Sequence, residues 1–154
     1  MILKKTNFVL LLLLAVTLFN CTPLPRFRSE NNSKLPIENR QLNETYKNYQ
    51  VIEFIEGTAS FYADKFHGRI TYNGEVYDMN GVTAAHQSFP MDTIIRVTNL
   101  KNNKSTILRI NDRMPTRGDR IIDLSLGAAK VLDFVNDGIT DVKVEVLEWG
   151  QGKK

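Results

Sequence analysis

One cysteine, one tryptophan and two histidines are all that 154 residues supply of three residue types on which much site chemistry rests. A single Cys cannot close an internal disulfide, so a disulfide-stapled scaffold is excluded, as is a zinc module built on several thiolates. The two histidines, His67 and His86, fall in neither an HxxxH nor an HExxH spacing. No metal and no other cofactor is therefore implied. No internal repeat recurs, and no apolar run is long enough to cross a bilayer as a helix.

An excess of positive charge is also missing where it would matter. The net +3 is concentrated toward the N-terminus, because residues 51–154 carry thirteen basic and fourteen acidic side chains. A domain so balanced lacks the field that collects phosphates, and nucleic acid is excluded as a partner. A hydrophobic content of 42% rules out a wholly disordered chain, and the length suits one domain.

What is present begins with targeting. Lys4 and Lys5 precede an uncharged, all but unbroken apolar run over residues 8–19, the build of a secretory signal. Residues 1–20 are read as that signal. Cys21 follows directly and resembles the acylated cysteine of bacterial lipoproteins, whose acyl chains hold the mature protein on a membrane. Leu18, Phe19 and Asn20 depart from the small residues usual before such a Cys, and an ordinary signal peptide that leaves a free thiol is the alternative. Thr22 in place of Asp points to the outer membrane. Residues 21–50, rich in Pro, Asn, Arg and Glu without a sustained period, read as a flexible tether with no helix.

From Val51 the texture changes to short strand-like runs broken by Gly, Asn and Asp. Strands are expected over 51–55, 58–63, 93–99, 106–111 and 142–147, the last from the alternation of Val142, Val144 and Val146 with charge. Leu100-Lys101-Asn102-Asn103-Lys104 forms a hairpin turn whose Asn pair tolerates left-handed backbone. One helix is expected after a cap at Asp123 or Ser125, with Leu124, Ala128, Val131, Leu132 and Val135 on one face and Gly138 past its end. This is a mostly β domain over 51–150, closed or half-closed as a barrel, with a short tail over 151–154.

Polar residues gather between the second and third expected strands and after the hairpin: Asp64, His67, Arg69, Glu75, Asp78, His86, Asp112 and Arg113. Loops carry sites while scaffolds carry packing, so this cluster is the candidate site. Plainer roles stand beside it: Asp78 as a turn former, Arg69 as half of a surface ion pair, His86 as a satisfied buried imidazole, Asn73-Gly74 as a tight turn.

Blocks in one order carry a resemblance: Gly57-Thr58-Ala59-Ser60-Phe61-Tyr62, Phe66-His67-Gly68-Arg69, Thr71-Tyr72-Asn73-Gly74-Glu75, Thr83-Ala84-Ala85-His86, Asn111-Asp112-Arg113 and Arg120-Ile121-Ile122-Asp123-Leu124-Ser125. Together these resemble the rare lipoprotein A family over about 57–147. That resemblance implies a six-stranded double-psi β-barrel with one or two short helices, an envelope location facing the periplasm or wall, and peptidoglycan glycan strands as the partner. It also implies lytic transglycosylation with Glu75, His86 and Asp112 as catalytic candidates, and the company of division-site proteins. Glu75 would protonate the oxygen between N-acetylmuramic acid and N-acetylglucosamine, then deprotonate the muramyl C6 hydroxyl as a 1,6-anhydro ring closes. For that it is expected to be partly protonated near neutral pH, through burial or the charge of Asp112. Tyr62, His67, Arg69, Asn111 and Arg113 are the substrate-binding candidates, Tyr62 or Phe61 offering a face to a sugar.

Departures from the family pattern are specific. Met114 and Asp92 stand where Gly is usual, Phe61 where Trp is, and Ala63 where Gly is. Met114 is expected to redirect the loop after Asp112, while Asp92 tolerates a left-handed backbone. Because the chain ends at Lys154, a C-terminal peptidoglycan-binding domain of the kind some members carry is not expected. Two other readings remain open: a non-catalytic glycan-binding or wall-loosening module, and plain hydrolysis by Glu75 with Asp112.

Overall fold

Val142, Val144 and Val146 bury completely while the residues between them face outward, and this alternation makes β6 (Ile139–Glu148) the longest wall of a closed barrel. The computed structural model describes residues 36–152 apart from 63 and 117, so the signal and Cys21 lie outside the described residues. Five further strands complete the wall: β1 (Glu53–Phe61), β2 (Thr83–His86), β3 (Ile94–Asn99), β4 (Ser105–Asp112) and β5 (Ile122–Leu124). Their order around the barrel is β1-β5-β2-β4-β3-β6. The pairs β1/β5 and β2/β4 are parallel and the rest antiparallel. This is the six-stranded mostly β barrel expected, with two α-helices among the described residues.

Inside lie Ile95, Val97, Leu108, Ile110, Ile122 and Leu124 with the three β6 valines, all fully removed from water. Each such side chain contributes about 1.5–3 kcal/mol through burial. The β3/β4 hairpin turns as the Asn pair suggested, with Asn103 at φ 59°.

The helix after β5 is shorter than its sequence pattern. Ser125 caps α2 (Leu126–Leu132) by accepting the Ala128 N–H at 3.1 Å, and the helix stops at Asp133, whose φ of 58° is left-handed. Gly138 thus lies well beyond the helix end, and Leu124 belongs to β5. The expected break between two N-terminal strands is also absent. Gly57 sits inside β1, where a Cβ would fall 2.8 Å from Ile121 Cγ2, so the glycine permits a close approach and does not end the strand.

Residues 37–46 correct the reading of 21–50 as helix-free. They form α1 (Ile37–Tyr46), which starts immediately after Pro36. Its inward face is partly polar. Asn39 donates to the Val82 carbonyl at 2.9 Å, and Asn43 accepts the Ile107 N–H at 3.1 Å while donating to the Asn39 carbonyl at 2.7 Å. Leu42 and Tyr46, with Val51, cover a second cluster of Ile94, Ile107 and Leu147 on the outside of the barrel.

Candidate active site

The loop from β1 to β2 builds a small hairpin over residues 69–77. Ile70 bridges Val76, the Thr71 N–H donates to the Glu75 carbonyl at 2.8 Å, and Gly74 turns the chain at φ 94°. Asn73-Gly74 is therefore a tight turn, with Asn73 Oδ1 accepting both the Thr71 hydroxyl at 2.7 Å and the Glu75 N–H at 3.2 Å. The tip rests on the end of β4: Asn73 N–H donates to the Asn111 carbonyl at 3.3 Å and Tyr72 N–H to Asp112 Oδ1 at 2.8 Å.

That seating carries Glu75 to one side of β4. Its carboxylate meets Arg109 Nη2 at 2.8 Å through Oε1 and at 3.0 Å through Oε2, and Asn111 Nδ2 donates to Oε2 at 3.0 Å. Burial alone pushes this carboxyl upward, but the Asn111 hydrogen bond and the Arg109 charge outweigh it and hold Glu75 below the ordinary glutamate value. The free protein thus keeps Glu75 ionised, contrary to the expectation of partial protonation. Asp112 makes no contact with it. Arg109 also pairs with Asp92 at 2.8 Å and stands 4.0 Å from Glu38 of α1. Glu75, Arg109 and Asn111 open onto a groove of about 190 Å³ whose other wall is Pro36, Glu38, Asn39 and Leu42.

Asp112, next along β4, serves a different neighbourhood. Its Oδ2 accepts the Tyr62 hydroxyl at 3.0 Å, and its Oδ1 accepts the N–H groups of Tyr72 and Arg113, both at 2.8 Å. Burial, and then the Asp112 charge, push the Tyr62 phenol well above its ordinary value, so it stays a hydrogen-bond donor. The strand register sets a second carboxylate nearby: Ala85 of β2 pairs with Asp112 on one side and Asp123 of β5 on the other. Two strand spacings put those Cα atoms about 10 Å apart. Asp123 accepts the Ser60 hydroxyl and pairs with Arg120 Nε at 2.5 Å.

His86 ends β2, 3% exposed, with its ring stacked on Phe89 at 3.7 Å between centroids. Its Nδ1 accepts the N–H groups of Ser88 at 3.2 Å and Phe89 at 3.0 Å, which assigns the proton to Nε2. Nε2 is buried and has no hydrogen-bond partner among the described residues. Burial, with the Arg113 charge second, lowers the imidazole to about 4, so it is neutral near pH 7. Arg113 ties this corner to Asp112: its Nη1 donates to the carbonyls of His86 at 3.2 Å and Phe89 at 2.7 Å, and its guanidinium lies 5.2 Å from the Tyr72 ring centre.

Among the sequence candidates, then, Glu75 and Asn111 touch each other, Asp112 and Tyr62 touch each other, and Arg113 links the second pair to the His86 backbone. Glu75, His86 and Asp112 share no direct contact. His67 and Arg69 stand apart: His67 Nδ1 accepts the Met79 N–H at 3.2 Å near an exposed Asp78, and Arg69 lies over Phe66 at 5.3 Å. Met114 is buried and its φ is not positive, so the loop after Asp112 accommodates it by ordinary backbone, whereas Asp92 takes the left-handed φ of 68° expected of it. Arg109 and Asp123 escaped the sequence reading. Arg109 looks like any charged residue on a strand's outer face, and Asp123 reads from sequence only as a helix cap. Arg109 is separable in hindsight by its position two residues before Asn111, on the same face of the strand.

A closed double-psi barrel with the carboxylates of Glu75 and Asp112 on separate partners about the end of β4 defines the class. A family model described as lytic transglycolase (DPBB_1) matches residues 55–144, and the chain belongs to that family. It is 54% identical over 103 residues to a Neisseria meningitidis protein named endolytic peptidoglycan transglycosylase RlpA, an overlap of 66% of this chain and 43% of that one. Proteins of the same name from Pseudomonas aeruginosa and Vibrio cholerae are 52% identical over 99 residues (62% and 29% of the two chains) and 46% identical over 114 residues (71% and 43%). The chain thus spans less than half the length of these curated relatives. In fold alone it is similar to an expansin of Clavibacter michiganensis (TM-score 0.52, 18% identity, 65% and 53% of the two chains). It is likewise similar to Streptomyces papain inhibitor (TM-score 0.50, 17% identity, 66% and 100%).

Proposed function

We propose that the protein cleaves the β-1,4 bond between N-acetylmuramic acid and N-acetylglucosamine in peptidoglycan strands by lytic transglycosylation, leaving 1,6-anhydro ends. The observation that carries this reading is the Glu75 carboxylate held by Arg109 and Asn111 at the strand end that also presents Asp112. Glu75 is the single acid and base: it delivers a proton to the leaving oxygen and recovers one from the C6 hydroxyl as that oxygen closes on C1, so no water is consumed. Asp112, kept in place by three donors, supports the positive charge that develops at C1. The buried Nε2–H of His86, which meets no acceptor among the described residues, is a donor in reserve for a sugar oxygen or for Asp112 after a small shift.

The relatives' names support the substrate and reaction. The wider setting belongs to the same proposal: secretion by residues 1–20, lipid attachment at Cys21, an envelope position favouring the outer membrane, and division-site partners. Sacculi incubated with the protein and analysed by mass spectrometry test the chemistry. Anhydro-muropeptides from the wild type and none from Glu75→Gln are expected; products that persist in Glu75→Gln refute it. Palmitate labelling lost in Cys21→Ala tests the anchor.

The depressed Glu75 favours one second reading, a glycan-binding module without catalysis. It predicts sacculus binding with no new ends, unchanged by Glu75→Gln.

A further inference from the structure

Glu75 presents a difficulty for the reaction just described. The acid that begins it must carry a proton, and in the free protein the surroundings of Glu75 favour the carboxylate. The same surroundings suggest how that difficulty is built in. Arg109 is a hub on the outer face of β4, with its side chain only 21% exposed. Three carboxylates from three separate segments reach it: Glu75 from the hairpin at 2.8 Å, Asp92 from the turn before β3 at 2.8 Å, and Glu38 from α1 at 4.0 Å. One guanidinium carries a single charge, and these three compete for it. Asp92 holds a left-handed φ of 68°, a conformation costly for a residue with a Cβ, and its carboxylate is spent on Arg109.

We infer that Arg109 is a positioning residue for Glu75: it fixes the carboxylate in the resting site and releases it when substrate enters, the guanidinium staying seated on Asp92 and Glu38. The inference rests on the reading of Glu75 as acid and base. Geometry supports the release. Asp92 binds Nη1 and Glu75 binds Nη2, so one contact opens without breaking the other. A sugar entering the groove between α1 and the hairpin removes water from Glu75 and sets the glycosidic oxygen, an acceptor, against it, which favours the protonated form once Arg109 has let go. Asn111 at 3.0 Å then keeps one carboxyl oxygen aimed, with Asn73 fixing the backbone of Glu75. Asp78 lines the same groove and makes no contact with Glu75. α1 thereby contributes to the site through Glu38.

The test uses the full chain and two readouts. In the first, the Glu75 carboxyl carbon is titrated by NMR without substrate. Wild type is expected to titrate below the ordinary glutamate value, Arg109→Met above the wild type, and Arg109→Lys between them, because Lys keeps the charge and loses the fork. In the second, anhydro ends are counted against pH at limiting sacculi, where the titration of the free protein sets the profile. The limb on which activity falls as pH rises, where Glu75 loses its proton, is expected to move to higher pH in Arg109→Met. A wild-type Glu75 that titrates at or above the ordinary value overturns the inference, as does an Arg109→Met titration or pH limb that stays in place. Should Arg109→Met fail to fold, the wild-type and Arg109→Lys titrations decide. If the titrations come out as expected and the wild type forms no anhydro ends, the transglycosylase reading fails while the hold of Arg109 on Glu75 stands.

Discussion

Replacing Asn43 by Ala tests whether α1 is part of the folded unit. Asn43 is 3% exposed and makes two hydrogen bonds, one within the helix to the Asn39 carbonyl and one across to the Ile107 N–H of β4. Pairing between β2 and β4 begins at Arg109, so Ile107 lies beyond that ladder and its outward N–H is met by Asn43 Oδ1. Losing the intrahelical bond costs about 0.5–1.5 kcal/mol, and leaving a buried donor unmet costs about 1–3 kcal/mol. Some relaxation of α1 offsets part of this, which gives a net loss of about 2 kcal/mol. For a domain near this size each kcal/mol moves the midpoint by roughly 4–8 °C, so Tm falls by about 10 °C. Urea unfolding at constant m measures the loss, and hydrogen exchange at the Ile107 amide locates it. A variant within about 0.5 kcal/mol of wild type, with Ile107 exchange unchanged, would refute the bridging role, since this is the ordinary range of surface substitutions.

Two further outcomes follow from buried groups. His86 has a folded value of about 4, below its unfolded 6.5, so the fold favours the neutral ring. The resulting stability is fully present above pH 6.5 and is lost as pH falls toward 4, with a slope of at most about 1.4 kcal/mol per pH unit. His86→Asn, which keeps an acceptor for the Ser88 and Phe89 N–H groups, should remove that component from the difference between the two stability curves; parallel curves would contradict it. Gly127→Ala should destabilise by more than about 4 kcal/mol, because a Cβ there would lie 2.3 Å from the Gly81 carbonyl and 2.4 Å from that of Asn80, both backbone atoms. Wild-type-like thermal unfolding of that variant would show that the 78–81 turn yields.

The legible parts of the fold are those in which side-chain alternation runs long enough to be seen. β6 and the β3/β4 hairpin announce themselves through Val142-Lys143-Val144-Glu145-Val146 and the Asn102-Asn103 turn. β2 and β5, four and three residues long, are too short for any period, and their small or wholly buried residues carry no polar face to mark one. α1 hides for the opposite reason: Asn39 and Asn43 turn inward while Ile37 is 71% exposed, so an apolar stripe never forms. In the site, block resemblance led to Glu75, Asn111, Asp112 and Tyr62, whose contacts then appeared. The expected protonation of Glu75 fails because the Asn111 hydrogen bond and the Arg109 charge, both brought beside it by the hairpin resting on β4, join residues 36 and 34 positions apart that no local pattern encodes.

The docked helix also changes a length. If the proposed anchor at Cys21 is counted to the first barrel strand at Glu53, an extended chain has a reach of about 110 Å; counted to Pro36, where α1 begins to grip the barrel, it has about 50 Å. On the transglycosylase reading proposed above, every glycan bond cut then lies within about that shorter radius of the membrane holding the anchor, because α1 takes the chain between Pro36 and β1 out of the tether.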